Sequence, residues 1–391
     1  MGAQRLPCDG VLSGVKALVA ILLLSLAAAS PAAGASWRFD GHGWGHGVGL
    51  AQYGALGYAR EEHRNATWIL AHYYPGTTLA MQPAARVHVR LADGPTMRVT
   101  YATRARGADG RLVALSASRT YALTLWETTG TLLRLVDERT GRGIAHLQSP
   151  VRITGASPVR LLGTAENGVR DGRYRGALML TREPASVLAV DDVDGEQYLY
   201  GVVASEMPST WPAAALRAQA VASRSYALAS LRPGSPFDVD ADTRSQMYRG
   251  VVGESAATTT AVDQTRHLAV VFGGHVATAL FSASSGGRTA ANEEIFPGAA
   301  PLPYLRSVDD PYDRLSPYHD WSVTFTAQDA ATRLGGLVSG DLQALAVVAT
   351  TPTGRAATVA ITGSTGVQDV PAGTVRSLLG LRSTWFTISA A

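Results

Sequence analysis

The stretch Ala204-Ser205-Glu206-Met207-Pro208-Ser209-Thr210-Trp211-Pro212 is a short, carboxylate-bearing break between two helical patterns. Before it, Glu196 to Val203 (EQYLYGVV) spaces apolar groups as a helix does. After it, Pro212 stands where a first-turn proline fits, and Ala213 to Leu231 reads as one long helix. Glu206 is the sole acid between Glu196 and Asp238, and Met207, Pro208 and Trp211 beside it are largely apolar. A carboxyl among apolar groups has a raised pKa, as a general acid requires. An ordinary capping or surface glutamate fits the same spacing, and taken alone the spacing favours that reading.

The chain of 391 residues is long enough for one large or two modest domains with a real core. Its formal net charge of +3 is almost wholly arginine, since Lys16 is the single lysine. No dense basic run occurs, so nucleic acid is not an expected partner. Arg5 and Lys16 precede an apolar run, Ala17 to Ala29, followed by small residues ending Ala33-Gly34-Ala35. This reads as a secretory signal peptide over residues 1–35, with an uncleaved anchor as the competing reading. Cleavage would remove Cys8, the one cysteine, and leave a protein with no disulfide, thiolate nucleophile or lasting membrane anchor.

Gly41-His42-Gly43-Trp44-Gly45-His46-Gly47-Val48-Gly49 carries five glycines in nine residues, which excludes a stable helix and implies backbone lying close to something else. It suits a tight structural loop and a substrate-lining loop equally. Leu50 to Arg60 and Asn65 to Tyr74 read as helices, the second capped by Asn65 or Thr67. From about Arg86 the period changes to two, and strands are expected through Val190. The alanine-rich helix after Pro212 should be buried and central. Its Arg224 is either half of a structural ion pair or an anchor for a ligand, with the pair favoured. Asp238, Asp240 and Asp242 alternate, yet lack the glycine and terminal glutamate of a calcium loop. Phe281 to Thr289 (FSASSGGRT) suits a sugar-binding turn or any exposed turn. No G-x-S-x-G elbow appears, which argues against a serine hydrolase.

Four segments in order, Glu196 to Pro208, Ala214 to Tyr226, Thr243-x-Ser245-Gln246-x-Tyr248-x-Gly250 and Ser284-Ser285-Gly286-Gly287-x-Thr289, resemble the stage II sporulation protein D and amidase-enhancer family. The resemblance covers residues 37–79 and about 150 to the end. It implies a lytic transglycosylase acting on peptidoglycan, with Glu206 as its catalytic acid. The family's G-H-G-x-G-H-G-V-G segment normally follows a C-terminal strand, whereas here Gly41 to Ala55 stands first and the chain closes on Trp385-Phe386-Thr387-Ile388. That order resembles a circular permutation, which is mild when termini lie close in space. It places Trp37 to Gly49 beside Glu206 and Phe39 near Phe386. Where some relatives hold zinc with histidine and cysteine, this chain has Ser282 and Ser284, so neither metal nor cofactor is expected.

The expected architecture is α+β: a β-rich domain with a central alanine-rich helix carrying the S-E-M-P motif at its N-terminal side, plus an inserted β module. The expected segments are a permuted piece at 36–80, a connecting β module at 81–148 and the catalytic domain at 149–391. A two-carboxylate hydrolase needs a second acid, and the sequence offers none near Glu206. One carboxyl serves a lytic transglycosylase, protonating the leaving oxygen and then deprotonating the sugar's C6 hydroxyl to give a 1,6-anhydro end. Candidate glycan contacts are Arg224, Ser245, Gln246, Tyr248, Ser284, Ser285, Gly286, His42, Trp44, His46 and Gln52. The expected partners are glycan strands and a cell-wall amidase, and the expected location is the secreted, cell-wall space. The alternatives are a non-catalytic amidase enhancer and a glycan-binding wall protein with an inert Glu206.

Overall fold

A computed structural model describes residues 36–127 and 130–391. The expected signal peptide, with Cys8, lies outside the described residues. The mixed α+β architecture is borne out: several sheets surround a small set of helices.

The alternating pattern from Arg86 builds two facing sheets. One has six strands, ordered 142–148, 132–137, 120–125, 96–100, 159–162 and 173–174. The other has seven, ordered 239–240, 86–94, 187–194, 177–182, 151–154, 104–106 and 112–114. Period two puts Val99, Leu123, Leu133 and Leu161 of the first sheet into one core with Val87, Val89, Leu91, Ile153 and Leu178 of the second. Strands from both sides of residue 148 share each sheet, so the β-rich unit runs from Arg86 to Asp194 rather than stopping at 148.

Four helices position the site. Helix α1 is Gln52–Glu61, α2 is Ala66–Tyr73, α3 is Gly195–Glu206 and α4 is Ala213–Ala229. Asn65 caps α2 through Trp68 N–H, at 2.9 Å. Asp194 caps α3 through the N–H groups of Glu196 and Gln197. Pro212 is the N-cap residue of α4, one place before the first turn expected for it. Small residues let α4 sit between two cores: Ala220 and Ala227 face the β-rich unit, while Ala215, Leu216, Ala218, Val221 and Ala222 face the cluster around α1 and α2. Tyr198, Leu199, Val202 and Val203 of α3 enter the first of these cores, and Met207, just past its end, enters the second.

A third core joins the first described strand to the C-terminal segments. Strand Ser36–His42 lies between Asp320–Thr326 and Phe386–Ala390, antiparallel to both. Phe39 is fully buried, its ring centroid 5.5 Å from Phe386 and 5.7 Å from Phe325. The expected Phe39–Phe386 contact is therefore present. Ser36 O accepts from Ala391 N–H at 2.9 Å, so these two residues meet across the sheet. No helix among the described residues is long and apolar enough to cross a membrane.

Candidate active site

Glu206 is the last residue of α3 and is half-buried. Its Oε1 accepts from Met247 N–H at 2.7 Å, and the Gln52 side-chain amide also bonds its carboxyl. Burial pushes the Glu206 pKa above the ordinary glutamate value, against the opposing pull of these two donors. The carbonyl end of α3 acts in the same direction as burial. Neither partner is charged, and neither is a second carboxylate. Gln52 Nε2 also lies 3.4 Å from Gln219 Oε1, and Gln219 Nε2 donates to Ser223 Oγ at 2.9 Å. This run of amides fixes Gln52, and with it the carboxyl.

The glycine-rich loop does approach another backbone closely. Gly43 has φ +75°, and a Cβ there would meet Ser284 O at 2.7 Å and Gly286 N at 2.9 Å. Trp44 N–H donates to Ser284 O, and Gly47 N–H donates to Ser282 Oγ. Directly after the loop, Gln52 reaches Glu206. The glycine-rich loop thus packs against the hydroxyl-glycine turn, while the residue that reaches the candidate acid is Gln52, three positions beyond the expected Trp37–Gly49 segment.

Several candidate contacts prove to be framework. Arg224 is 4% exposed and forks onto Glu196 at 2.8 and 2.6 Å, while donating to Leu268 O. It is the structural pair, not a ligand anchor. Gln246 and Tyr248 point inward: Gln246 Oε1 accepts from Tyr198 OH at 3.0 Å, and Tyr248 OH donates to Asp191 at 2.7 Å. Their inward anchoring turns the intervening Met247 N–H toward Glu206. Ser245 Oγ accepts from Asp240 N–H. The Ser284 hydroxyl and the N–H groups of Ser285 and Gly286 surround the fully buried Asp313, and Ser285 Oγ donates to the equally buried Asp310. His319 Nδ1 completes the shell of Asp313 at 2.9 Å. His46 Nδ1 accepts from Val48 N–H, and burial with nearby Arg376 and Arg355 pushes the ring down to about 4, so it is neutral. His42 is exposed and bonded to Asp320 at 2.6 Å. Among the described residues, no three His, Asp or Glu side chains gather as a metal set.

Asp310 gives a pH-dependent prediction. Burial and the charge of Asp313 raise its carboxyl to about 7. An unfolded aspartate titrates near 4, so between about pH 4 and 7 the native state holds a proton that the unfolded state has lost. Stability therefore falls as pH rises through that window, by about 1.4 kcal/mol per pH unit for one such group, and the full cost is present above it. Asp191, also buried and raised to about 7, adds a second slope of the same sign. Asp310→Asn is expected to flatten, without abolishing, the loss of urea midpoint between pH 4.5 and 7. An unchanged slope would exclude Asp310 as a source.

Four residues that sequence reasoning did not single out stand along one side of the site. Trp211, in the loop after Glu206, meets Tyr53, the neighbour of Gln52, with ring centroids 5.0 Å apart. Tyr318 is close enough to Tyr53 to help raise its phenol pKa, after burial. Tyr318 then meets the 41%-exposed Trp44 at 4.3 Å, and Arg382 lies 4.3 Å over the Tyr318 ring. The result is a partly exposed aromatic ledge running from the Glu206 loop to the glycine-rich loop. Its members come from four separated segments, so no local pattern announces it.

The chain is similar in sequence to known proteins over this region. The family profile for the stage II sporulation protein matches residues 183–272, spanning α3, Glu206, α4 and the Met247 loop. The chain is 30% identical over 236 residues to stage II sporulation protein D of Bacillus subtilis, covering 54% of this chain and 67% of that protein. It is 39% identical over 149 residues to an uncharacterized protein of Brachyspira hyodysenteriae, spanning 39% of that protein's length. It is 33% identical over 135 residues to the amidase enhancer of Bacillus subtilis, spanning 18% of its length.

Proposed function

This chain belongs to the stage II sporulation protein D family, and from that premise we propose that it is a secreted lytic transglycosylase cleaving peptidoglycan glycan strands with Glu206 as its single acid and base. The observation that carries the reading is the environment of Glu206: a half-buried carboxyl with a raised pKa, held by one backbone N–H and one neutral amide. A raised pKa keeps the proton on Glu206 until the glycosidic oxygen needs it. The carboxylate left behind is a competent base for the C6 hydroxyl of the same sugar. That hydroxyl attacks the anomeric carbon and closes a 1,6-anhydro ring. The buried carboxyls of Asp310 and Asp313 are engaged by hydroxyls and backbone N–H groups, so they do not supply the second acid of a hydrolase.

The ledge of Trp211, Tyr53, Tyr318 and Trp44 suits the apolar C–H faces of successive sugars, with Arg382 able to reach glycan oxygens. Trp44→Ala is expected to raise KM for glycan about fivefold while kcat changes less than twofold, since Trp44 stands away from the carboxyl. A kcat loss with unchanged KM would remove Trp44 from the binding role.

A second reading follows from the likeness to the amidase enhancer: a non-catalytic protein that binds glycan and stimulates an amidase. Purified protein incubated with peptide-free glycan strands separates the two. Anhydro-muramic ends seen by mass spectrometry support the enzyme. No such product from wild type, together with faster peptide release in a mixed amidase assay, would establish the enhancer instead.

A further inference from the structure

The β-rich unit carries a feature that the Glu206 chemistry does not use. On the outer face of its six-stranded sheet, Arg160 and Arg173 stand directly opposite one another on neighbouring antiparallel strands. Directly opposed side chains leave their strands about 5 Å apart, and like charges so placed destabilise a sheet. Neither arginine forms an ion pair among the described residues, and the Nε of each is buried without a hydrogen bond. Both guanidinium groups lie on the same ring, 5.1 and 5.2 Å from the centroid of Tyr101. Tyr101 is 37% exposed and holds φ +64°, a conformation that costs a non-glycine residue energy. The ring offsets part of the repulsion through its π face, but supplies no acceptor for the N–H groups.

Two further arginines share that face: by register, Arg98 and Arg134 stand on it with Arg160 and Arg173. Glu138, at its margin, pairs with Arg98 at 2.6 Å, and Asp171, on the hairpin beside Arg173, accepts from Gly163 N–H. The carboxylates within reach are therefore already engaged.

We propose that Arg160 and Arg173, stacked on Tyr101, form an oxyanion-binding site for the phosphate or carboxylate groups of a linear acidic polymer, which Arg134 continues across the same face of the sheet. Two planar forks side by side match an oxyanion that accepts from both. The spread of cations across several strands favours a chain of anions over one isolated ion. This site is independent of Glu206 and gives the β-rich unit a role in holding the protein on an anionic matrix.

The test is binding of fluorescent poly(glycerol phosphate) and poly(glutamate) to the full-length protein, with inorganic phosphate as a third arm. Wild type is expected to bind at least one polymer with an affinity that falls as salt rises, and inorganic phosphate is expected to compete weakly. The Arg160→Met/Arg173→Met pair should weaken polymer binding by about tenfold or more. The Arg160→Lys/Arg173→Lys pair keeps the charge but loses the forks, and should lie between the two, which guards against misfolding of the first variant. Preference for one polymer tells phosphate from carboxylate as the group held. Failure of wild type to bind either polymer, binding of inorganic phosphate alone, or undiminished polymer binding by both folded variants would each overturn the proposal.

Discussion

Glu206→Gln is expected to lower the release of 1,6-anhydro-muramic ends by about 10²- to 10⁴-fold, the range typical of a lost general acid–base group. Glutamine keeps the size of the side chain and can still accept from Met247 N–H, so the fold should persist and the loss should fall on kcat. The pH profile of the wild type supplies an independent check. The acid must be protonated at the start of the reaction, so the rate should fall as pH rises through the Glu206 pKa. Burial places that limb above the ordinary glutamate value. Gln52→Leu removes one of the two groups that favour the charged carboxylate. It should move the limb to still higher pH. Mass spectrometry of digests from matched protein concentrations measures both effects, and undiminished product from Glu206→Gln would end the single-acid mechanism.

Arg224→Met is expected to destabilise the protein by about 3–5 kcal/mol, because it strands the Glu196 carboxylate in an interior that excludes water. Glu196 is 5% exposed and also accepts from His267 N–H at 3.1 Å, so the loss would loosen the junction of α3, α4 and the strand that follows. The double variant Glu196→Gln/Arg224→Met leaves no buried charge and keeps an acceptor for His267 N–H. It should recover much of the loss. Urea titration of the three proteins measures the cycle. If Arg224 instead gripped glycan, the single variant would raise KM far beyond its effect on stability, and the double variant would not restore it.

These two residues also show what the chain announces and what it hides. Helix periodicity, a proline and an acid-poor window mark Glu206 as a carboxyl at a helix break, but that spacing favours a capping glutamate, and its proposed role comes from the companion motifs. The inward alternation of Val87, Val89 and Leu91 was legible, since period two is a local signal. Arg224 was ambiguous until Glu196, 28 positions away, proved to be its partner. The motif of Gln246 and Tyr248 points to glycan contacts, yet their side chains turn inward and the group between them that meets Glu206 is a backbone N–H, which no residue identity reveals. Ser284 and Ser285 were legible as a special turn, but their acceptors, Asp310 and Asp313, lie about 25 residues on in a segment that reads as a plain polar loop. The boundary at residue 148 failed for a related reason: strand pairing across it is long-range, and a change of composition does not report which strands share a sheet.

Strand Ser36–His42 has both of its neighbours more than 270 positions further along the chain. During synthesis it therefore lacks these partners until the chain has passed residue 320 for the first and residue 386 for the second. Closing so long a loop is entropically slow, and contacts of such high sequence separation form late. Gln52, which steadies Glu206, follows this strand by ten residues and is placed by the pairing of Leu50–Ala51 with Phe281–Ser282. That pairing also joins segments about 230 positions apart, so the surroundings of Glu206 are completed by contacts of the late-forming kind. A chain ending before residue 320 lacks both strands that flank Ser36–His42, and the core around Phe39 cannot close in it.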